Sequence, residues 1–171
     1  MKTTLFQNLP MAEKSEGLIT PLPGQSFFNL LLKSISEAKY KIDIMQYQWN
    51  FYRNKPDDWV QQFNQLLLIK IQNGVKCRVL LNKEGRGQNL MAINQNASDY
   101  LTQAGASVKF GKSVPINHSK LFLIDDRLTI CGSHNISSRA FKLNNEVSLL
   151  VDSVAVNVEL TRYFNSIWCL Q

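Results

Sequence analysis

The chain has 171 residues, 44% of them apolar, which suits one domain around one sizeable core and argues against a disordered or fibrous protein. Nineteen Lys or Arg against thirteen Asp or Glu give a formal charge of +6, so a polyanionic partner fits better than a cationic one. No apolar run reaches the roughly 18 residues of a membrane-spanning helix, and two histidines with three scattered cysteines (Cys77, Cys131, Cys169) offer neither a disulfide framework nor a zinc site.

Residues 1–23 hold Pro10, Pro21 and Pro23 and read as an N-terminal arm ending in a turn; the domain proper is expected over 24–171. Met1–Asn8 lacks the apolar core of a signal peptide, which suggests cytoplasmic residence. Residues 25–39 carry Phe28, Leu31, Leu32 and Ile35 at helical spacing, and 41–48 alternate like a strand. Pro56-Asp57-Asp58 announces a helix to about Gln72, with an Asp as N-cap, stopped by Asn73-Gly74. A strand over 75–81 and a polar, basic loop over 82–87 follow. A helix over 90–103, closed by Gly105, leads to a short strand over 107–110. Strands are predicted over 116–124, 128–131 and 145–151, and a last helix over 154–169. This order predicts an α/β fold: an α/β/α sandwich around a central mixed, largely parallel sheet.

The chemistry concentrates between His118 and Asn135, where the chain spells H-x-K-x4-D-x6-G-S-x-N. Alternation along a strand puts His118, Lys120, Phe122 and Ile124 on one face, so an imidazole and an ammonium stand side by side. Gly132-Ser133 turns the chain and offers backbone N–H groups, a hydroxyl and the Asn135 amide. Together these suit a phosphate: donors for its oxygens, a cation for its charge and a nucleophile for its phosphorus.

The pattern resembles the signature of the phospholipase D superfamily, specifically its small nucleases with one H-x-K-x4-D per chain. The resemblance implies a phospholipase D-like α/β/α sandwich and metal-independent cleavage of phosphodiesters through a phosphohistidine, with no cofactor. It implies His118 as nucleophile, with Lys120, Asn135 and Ser133 binding phosphate oxygens. Asp125 and Gly132 would be structural members of the motif. Asn144-Asn145-Glu146 resembles the family's Asn-x-Glu, which makes Glu146 the carboxylate expected to orient the imidazole. His134 falls on the variable position and reads as structural. The likeness is strongest over 116–151, weaker over 24–115, and absent over 1–23.

The full active site of this superfamily uses two H-x-K motifs. Here the second histidine, His134, precedes Asn135 and Ile136 and starts no such motif. The resemblance therefore implies a two-fold homodimer with one shared site, one His118 attacking and the other protonating the leaving oxygen. Between Lys70 and Lys142 eleven basic residues face four acidic ones, as a nucleic-acid substrate would require. Arg78, Lys83, Arg86, Lys109 and Lys112 are the candidate contacts. A phospholipase or cardiolipin hydrolase shares the same core and is the second reading, and a non-cleaving nucleic-acid-binding module the third. Both the DNA-or-RNA choice and membership of a larger restriction or defence assembly stay open from the sequence.

Overall fold

A computed structural model describes residues 15–52, 54–83, 89–112 and 115–170. Its described residues form one seven-stranded sheet with helices on both faces. The strands are β1 (Leu18–Pro23), β2 (Lys41–Gln46), β3 (Lys76–Leu81), β4 (Ser107–Phe110), β5 (Lys120–Ile124), β6 (Leu128–Gly132) and β7 (Val147–Asp152). The helices are α1 (Ser26–Glu37), α2 (Trp59–Gln72), α3 (Leu90–Gln103), α4 (Ser138–Lys142) and α5 (Val154–Trp168). Spatial order is β1-β7-β6-β5-β2-β3-β4.

The sheet is mixed, as expected, but its parallel part is confined to β2, β3 and β4. There the crossover helices α2 and α3 return the chain to the same end of the sheet. The other neighbours run antiparallel. The tight Asp125–Arg127 turn joins β5 to β6 as a hairpin, and a short connection cannot make a parallel pair. The second departure is β1. Residues 18–23, read from sequence as the end of an arm, pair with β7 from Leu18–Asp152 to Pro23–Val147. Prolines hide strand character in a sequence, yet an edge strand tolerates them because its outer N–H groups need no partner.

Local signals explain the elements that were foreseen. Asp58 Oδ1 accepts from Val60 N at 2.9 Å and caps α2. Gly74 and Gly105, at φ 90° and 103°, close α2 and α3 in the left-handed region that glycine enters freely. One core lies between the sheet and α1, α2 and α4, where Phe27, Phe63, Phe122 and Phe141 cluster around Ile42 and Ile44. A smaller core under α5 joins Met45, Leu80, Leu121, Leu123 and Phe164. The two clusters take alternate residues of β2 and β5, Ile42, Ile44, Phe122 and Ile124 in the first and Met45, Leu121 and Leu123 in the second, so both strands are covered on both faces and central. Among the described residues no helix is long and apolar enough to cross a membrane.

Candidate active site

β5 begins at Lys120, four residues later than the sequence reading has it; His118 precedes it in irregular chain. Asn117 is the reason. Its Nδ2 donates to Leu80 O at 3.2 Å, its Oδ1 accepts from Ser119 N at 3.3 Å, and its own N donates to Asn82 Oδ1 at 3.0 Å. A side chain thus takes hydrogen bonds that a strand would give to its neighbour. His118 is left exposed above the strand end, with its ring 4.5 Å from that of Tyr47.

Lys120 lies beneath it and is 8% exposed. Its Nζ donates to His118 O at 2.7 Å and stands 3.1 Å from Nδ1 and 3.5 Å from Nε2 of the same residue. It also sits 5.1 Å from the centroid of the Tyr47 ring, a cation–π distance. Burial lowers the Lys120 pKa against the pull of the Glu146 charge. The His118 pKa is lowered too, by desolvation first and by the Lys120 charge second. A lowered value keeps the imidazole neutral, as a nucleophile must be.

β6 and β7 supply the far wall. Gly132 pairs with Ser148, and a Cβ on Gly132 would run into Ser148 Oγ and Val147 O, so this place in the motif admits no side chain. Ser133 prolongs the contact between the two strands. Its N and Oγ donate to Val147 O at 3.0 and 3.2 Å, and its Oγ accepts from Val147 N at 3.0 Å. The hydroxyl is therefore engaged in holding the turn, although the residue is exposed. Asn135 is half-buried beside β2's continuation, where Ile136 bridges Trp49. Its Oδ1 is buried with no hydrogen-bond partner. Such an atom is rare in a folded protein.

Glu146 does not touch the imidazole. Its Oε1 accepts from Asn144 Nδ2 at 3.0 Å, and its charge acts on Lys120 and His134 through space. His134, as its motif position implied, is structural. It is fully buried and stacked on Phe27 with centroids 4.0 Å apart. Nδ1 meets Ser148 Oγ at 2.8 Å and Nε2 meets Gly24 O at 3.2 Å, an arrangement that ties α1's approach to β7. Asp125 lies at the opposite end of β5. Its carboxylate accepts from the backbone N–H of Lys39, Tyr40 and Lys41 at 2.6, 3.0 and 3.0 Å.

The candidate basic contacts scatter. Arg78 forms a bidentate pair with the buried Asp43, at 2.7 and 2.6 Å, and lies over the rings of Phe164 and Trp168. Lys109 Nζ donates to Trp168 O at 3.0 Å and lies over the same indole. These partners account for both charges structurally. Lys83 and Lys112 are exposed, and Lys112 lines a pocket of about 250 Å³ with Asn117 and Ser119, the neighbours of His118. Arg86 lies outside the described residues. A roomier cavity of about 530 Å³ sits around Lys33, Tyr40 and Asp125, away from the imidazole, and holds none of the site's chemistry. Among the described residues no group of three or more His, Cys, Asp or Glu could hold a metal ion.

Sequence reasoning gave no weight to two members of this constellation. Tyr47 supplies the ring under His118, and Gln46 is the cross-strand partner of Lys120. A glutamine directly after the apolar Ile44-Met45 pair, at the end of the strand, was the available signal.

Comparison with known proteins agrees with this geometry. Residues 31–168 match the family described as cardiolipin synthase, phospholipase D-like domain. The chain is 25% identical over 159 residues to human mitochondrial cardiolipin hydrolase, covering 92% of this chain and 58% of that one. It is 28% identical over 137 residues to cardiolipin synthase A of Pectobacterium carotovorum, covering 73% of this chain and 26% of that one. It thus spans little more than half of the first relative and about a quarter of the second. Among solved structures, Nuc from Salmonella typhimurium, a phospholipase D family member, superposes with a TM-score of 0.72 at 20% identity, covering 91% of this chain and 95% of that one. NucT from Helicobacter pylori gives 0.71 at 20% identity, covering 90% and 96%. A family model over most of the chain and an intact H-x-K-x4-D motif make this chain a member of the phospholipase D superfamily.

Proposed function

We propose that this chain is a metal-independent endonuclease, cleaving DNA or RNA phosphodiesters through a phosphohistidine at a site shared by two subunits. The observation that carries the reading is the pairing of an exposed imidazole with a buried ammonium 3.1 Å from it, one such pair per described chain. A buried cation needs an anion, and this one lies against the exposed His118 ring. His118 of one subunit attacks phosphorus, and Lys120 and Asn135 Nδ2 hold the non-bridging oxygens. The leaving alkoxide takes its proton from the His118 of the partner, which must therefore be protonated when the first is neutral. That second imidazole, now neutral, takes a proton from water as the water attacks phosphorus. The P–N bond breaks and the first His118 is restored. Glu146 sits close enough to act on Lys120, and a side-chain rotation from Asn144 onto the imidazole would let it hold the tautomer.

Nucleic acid is favoured over lipid because the chain nearly fills the length of Nuc and NucT, and because exposed Lys83 and Lys112 flank the site loop. The likeness to cardiolipin hydrolase supports the second reading, hydrolysis of a phospholipid diester. One panel separates them: the purified chain in EDTA against single- and double-stranded DNA, RNA and cardiolipin vesicles. Cleavage of nucleic acid in EDTA, weakening steeply with salt, is expected. Activity on vesicles alone, or a strict need for added divalent metal, would overturn the nuclease reading. Sedimentation of the active species as a dimer is the companion expectation; a fully active monomer that persists on dilution would overturn the shared site.

A further inference from the structure

Gln46 is fully buried, and neither Oε1 nor Nε2 has a hydrogen-bond partner. Leaving both ends of a buried amide unmet is costly, so the position calls for a reason beyond packing. Its neighbours supply one. In the antiparallel register of β2 and β5, Gln46 stands opposite Lys120, as Ile44 stands opposite Phe122. Ile44 and Phe122 belong to the same core cluster, so by alternation Gln46 and Lys120 project to that same face. Directly opposed residues hold their Cβ atoms roughly 5 Å apart, within reach of one side chain for the other.

Lys120 has a difficulty that Gln46 can resolve. Its Nζ lies against the His118 ring nitrogens, at 3.1 Å from Nδ1 and 3.5 Å from Nε2. An ammonium has no lone pair and can only donate. If it donates to Nδ1, the neutral ring carries its proton on Nε2, which then has no electron pair for phosphorus. If it donates to Nε2, that pair is already engaged. Under either tautomer this is a resting arrangement, and Lys120 must leave the ring before His118 can attack. Three donors then need three acceptors. His118 O at 2.7 Å is one and a phosphate oxygen the second. From these positions we infer, resting on the phosphodiesterase reading above, that Gln46 is a positioning residue whose Oε1 is the third acceptor. It draws Lys120 off the imidazole and holds it beneath the bound phosphate.

The test compares Gln46→Met, similar in volume but with no acceptor oxygen, and Gln46→Glu, which restores one, in the full-length protein. Turnover of bis(p-nitrophenyl) phosphate and thermal melting are measured for each. Gln46→Met is expected to lose at least about ten-fold in kcat while melting no lower than wild type, and Gln46→Glu to recover to within about three-fold. A Met variant that turns over like wild type, or a folded Glu variant as slow as the Met variant, would overturn the inference. If Gln46→Met does not fold, the folded Glu variant decides alone. A second readout does not depend on turnover: the His118 imidazole resonance is titrated with pH, with and without inorganic phosphate. Phosphate should raise the wild-type midpoint as Lys120 leaves the ring, and raise it less in Gln46→Met. Equal rises would sink the inference even if the wild type proves inert toward the diester, an outcome that by itself would count only against the phosphodiesterase reading.

Discussion

The two ends of β5 belong to one sequence motif and obey opposite rules. At the Asp125 end both oxygens of the key side chain are engaged: three backbone N–H groups converge on one carboxylate, while Asp126 pairs with Lys41 and accepts from the Tyr40 hydroxyl. Asp125 and Asp126 even hold φ of 48° and 56° to make the turn, a conformation non-glycine residues adopt only where something fixes them. At the His118 end, seven residues earlier in the chain, a cation is buried under an exposed imidazole, and Asn135 and Gln46 keep polar atoms unpartnered. One end spends its polar groups on the fold, and the other withholds them. Short motifs mix both kinds of residue, so membership of a motif does not say which kind a residue is.

That contrast breaks most sharply at His118. His118→Ala should abolish diester turnover, by at least about 10³-fold, while changing the melting temperature little, because the imidazole is exposed and lies at the rim against the Tyr47 ring. Phosphate found on any other residue by mass spectrometry of a trapped reaction would remove His118 as nucleophile. Asp125→Ala should do the reverse. Orphaning three N–H groups should cost about 2–4 kcal/mol in urea unfolding, with specific activity per folded molecule retained. Turnover lost at full stability would make the Asp125 end part of the site.

Arg78 extends the comparison to the basic residues. Arg78→Met leaves the Asp43 carboxylate, 1% exposed, without its cation, and should cost about 2–3 kcal/mol. The salt dependence of nucleic-acid binding should not change, whereas Lys112→Met should flatten it by about one phosphate contact with no loss of stability. Exchange of these two outcomes would mean that Arg78 faces substrate.

The smallest effects come from pH and separate the two histidines. Burial lowers the His134 pKa, outweighing the Gly24 carbonyl and Glu146, so the native state holds this ring neutral. The unfolded chain binds the proton more readily. His134 therefore withholds no stability above about pH 6.5, and stability is lost progressively as pH falls below that value. A His134→Gln variant should show a flatter decline of urea midpoint with acid. The His118 pKa is also lowered, so the acid limb of the kcat/KM profile should fall below pH 6.5. A limb well above neutrality would mean that Lys120 does not act on the ring.

The sequence was most legible where one physical rule ruled alone. The Asp58 cap, Gly74 and Gly105 closed their helices where local chemistry said they would. Residues 18–23 escaped because their prolines argue against a strand, and only an edge position, known after folding, removes the objection. The direction of β5 escaped for a related reason: alternation reveals a strand but not its neighbour's polarity, which the tight turn at Asp125–Arg127 decides. In the site, types and spacing located His118, Lys120 and Asn135. They could not show that the Ser133 hydroxyl is spent on Val147, that Glu146 rests on Asn144, or that Arg78 is claimed by Asp43 from a neighbouring strand. Those are cross-strand facts, and register is not written in any one segment.

Pro21 and Pro23 also govern what the sheet can do in company. β1 is its exposed margin, with Leu18 and Ile19 open to water, and a margin of this kind normally invites a foreign strand to dock and templates further growth. Two prolines in six residues remove two donors from that invitation. A strand arriving at β1 would find an interrupted ladder, so among the described residues this side of the sheet disfavours open-ended, fibre-like stacking of crowded copies of the chain.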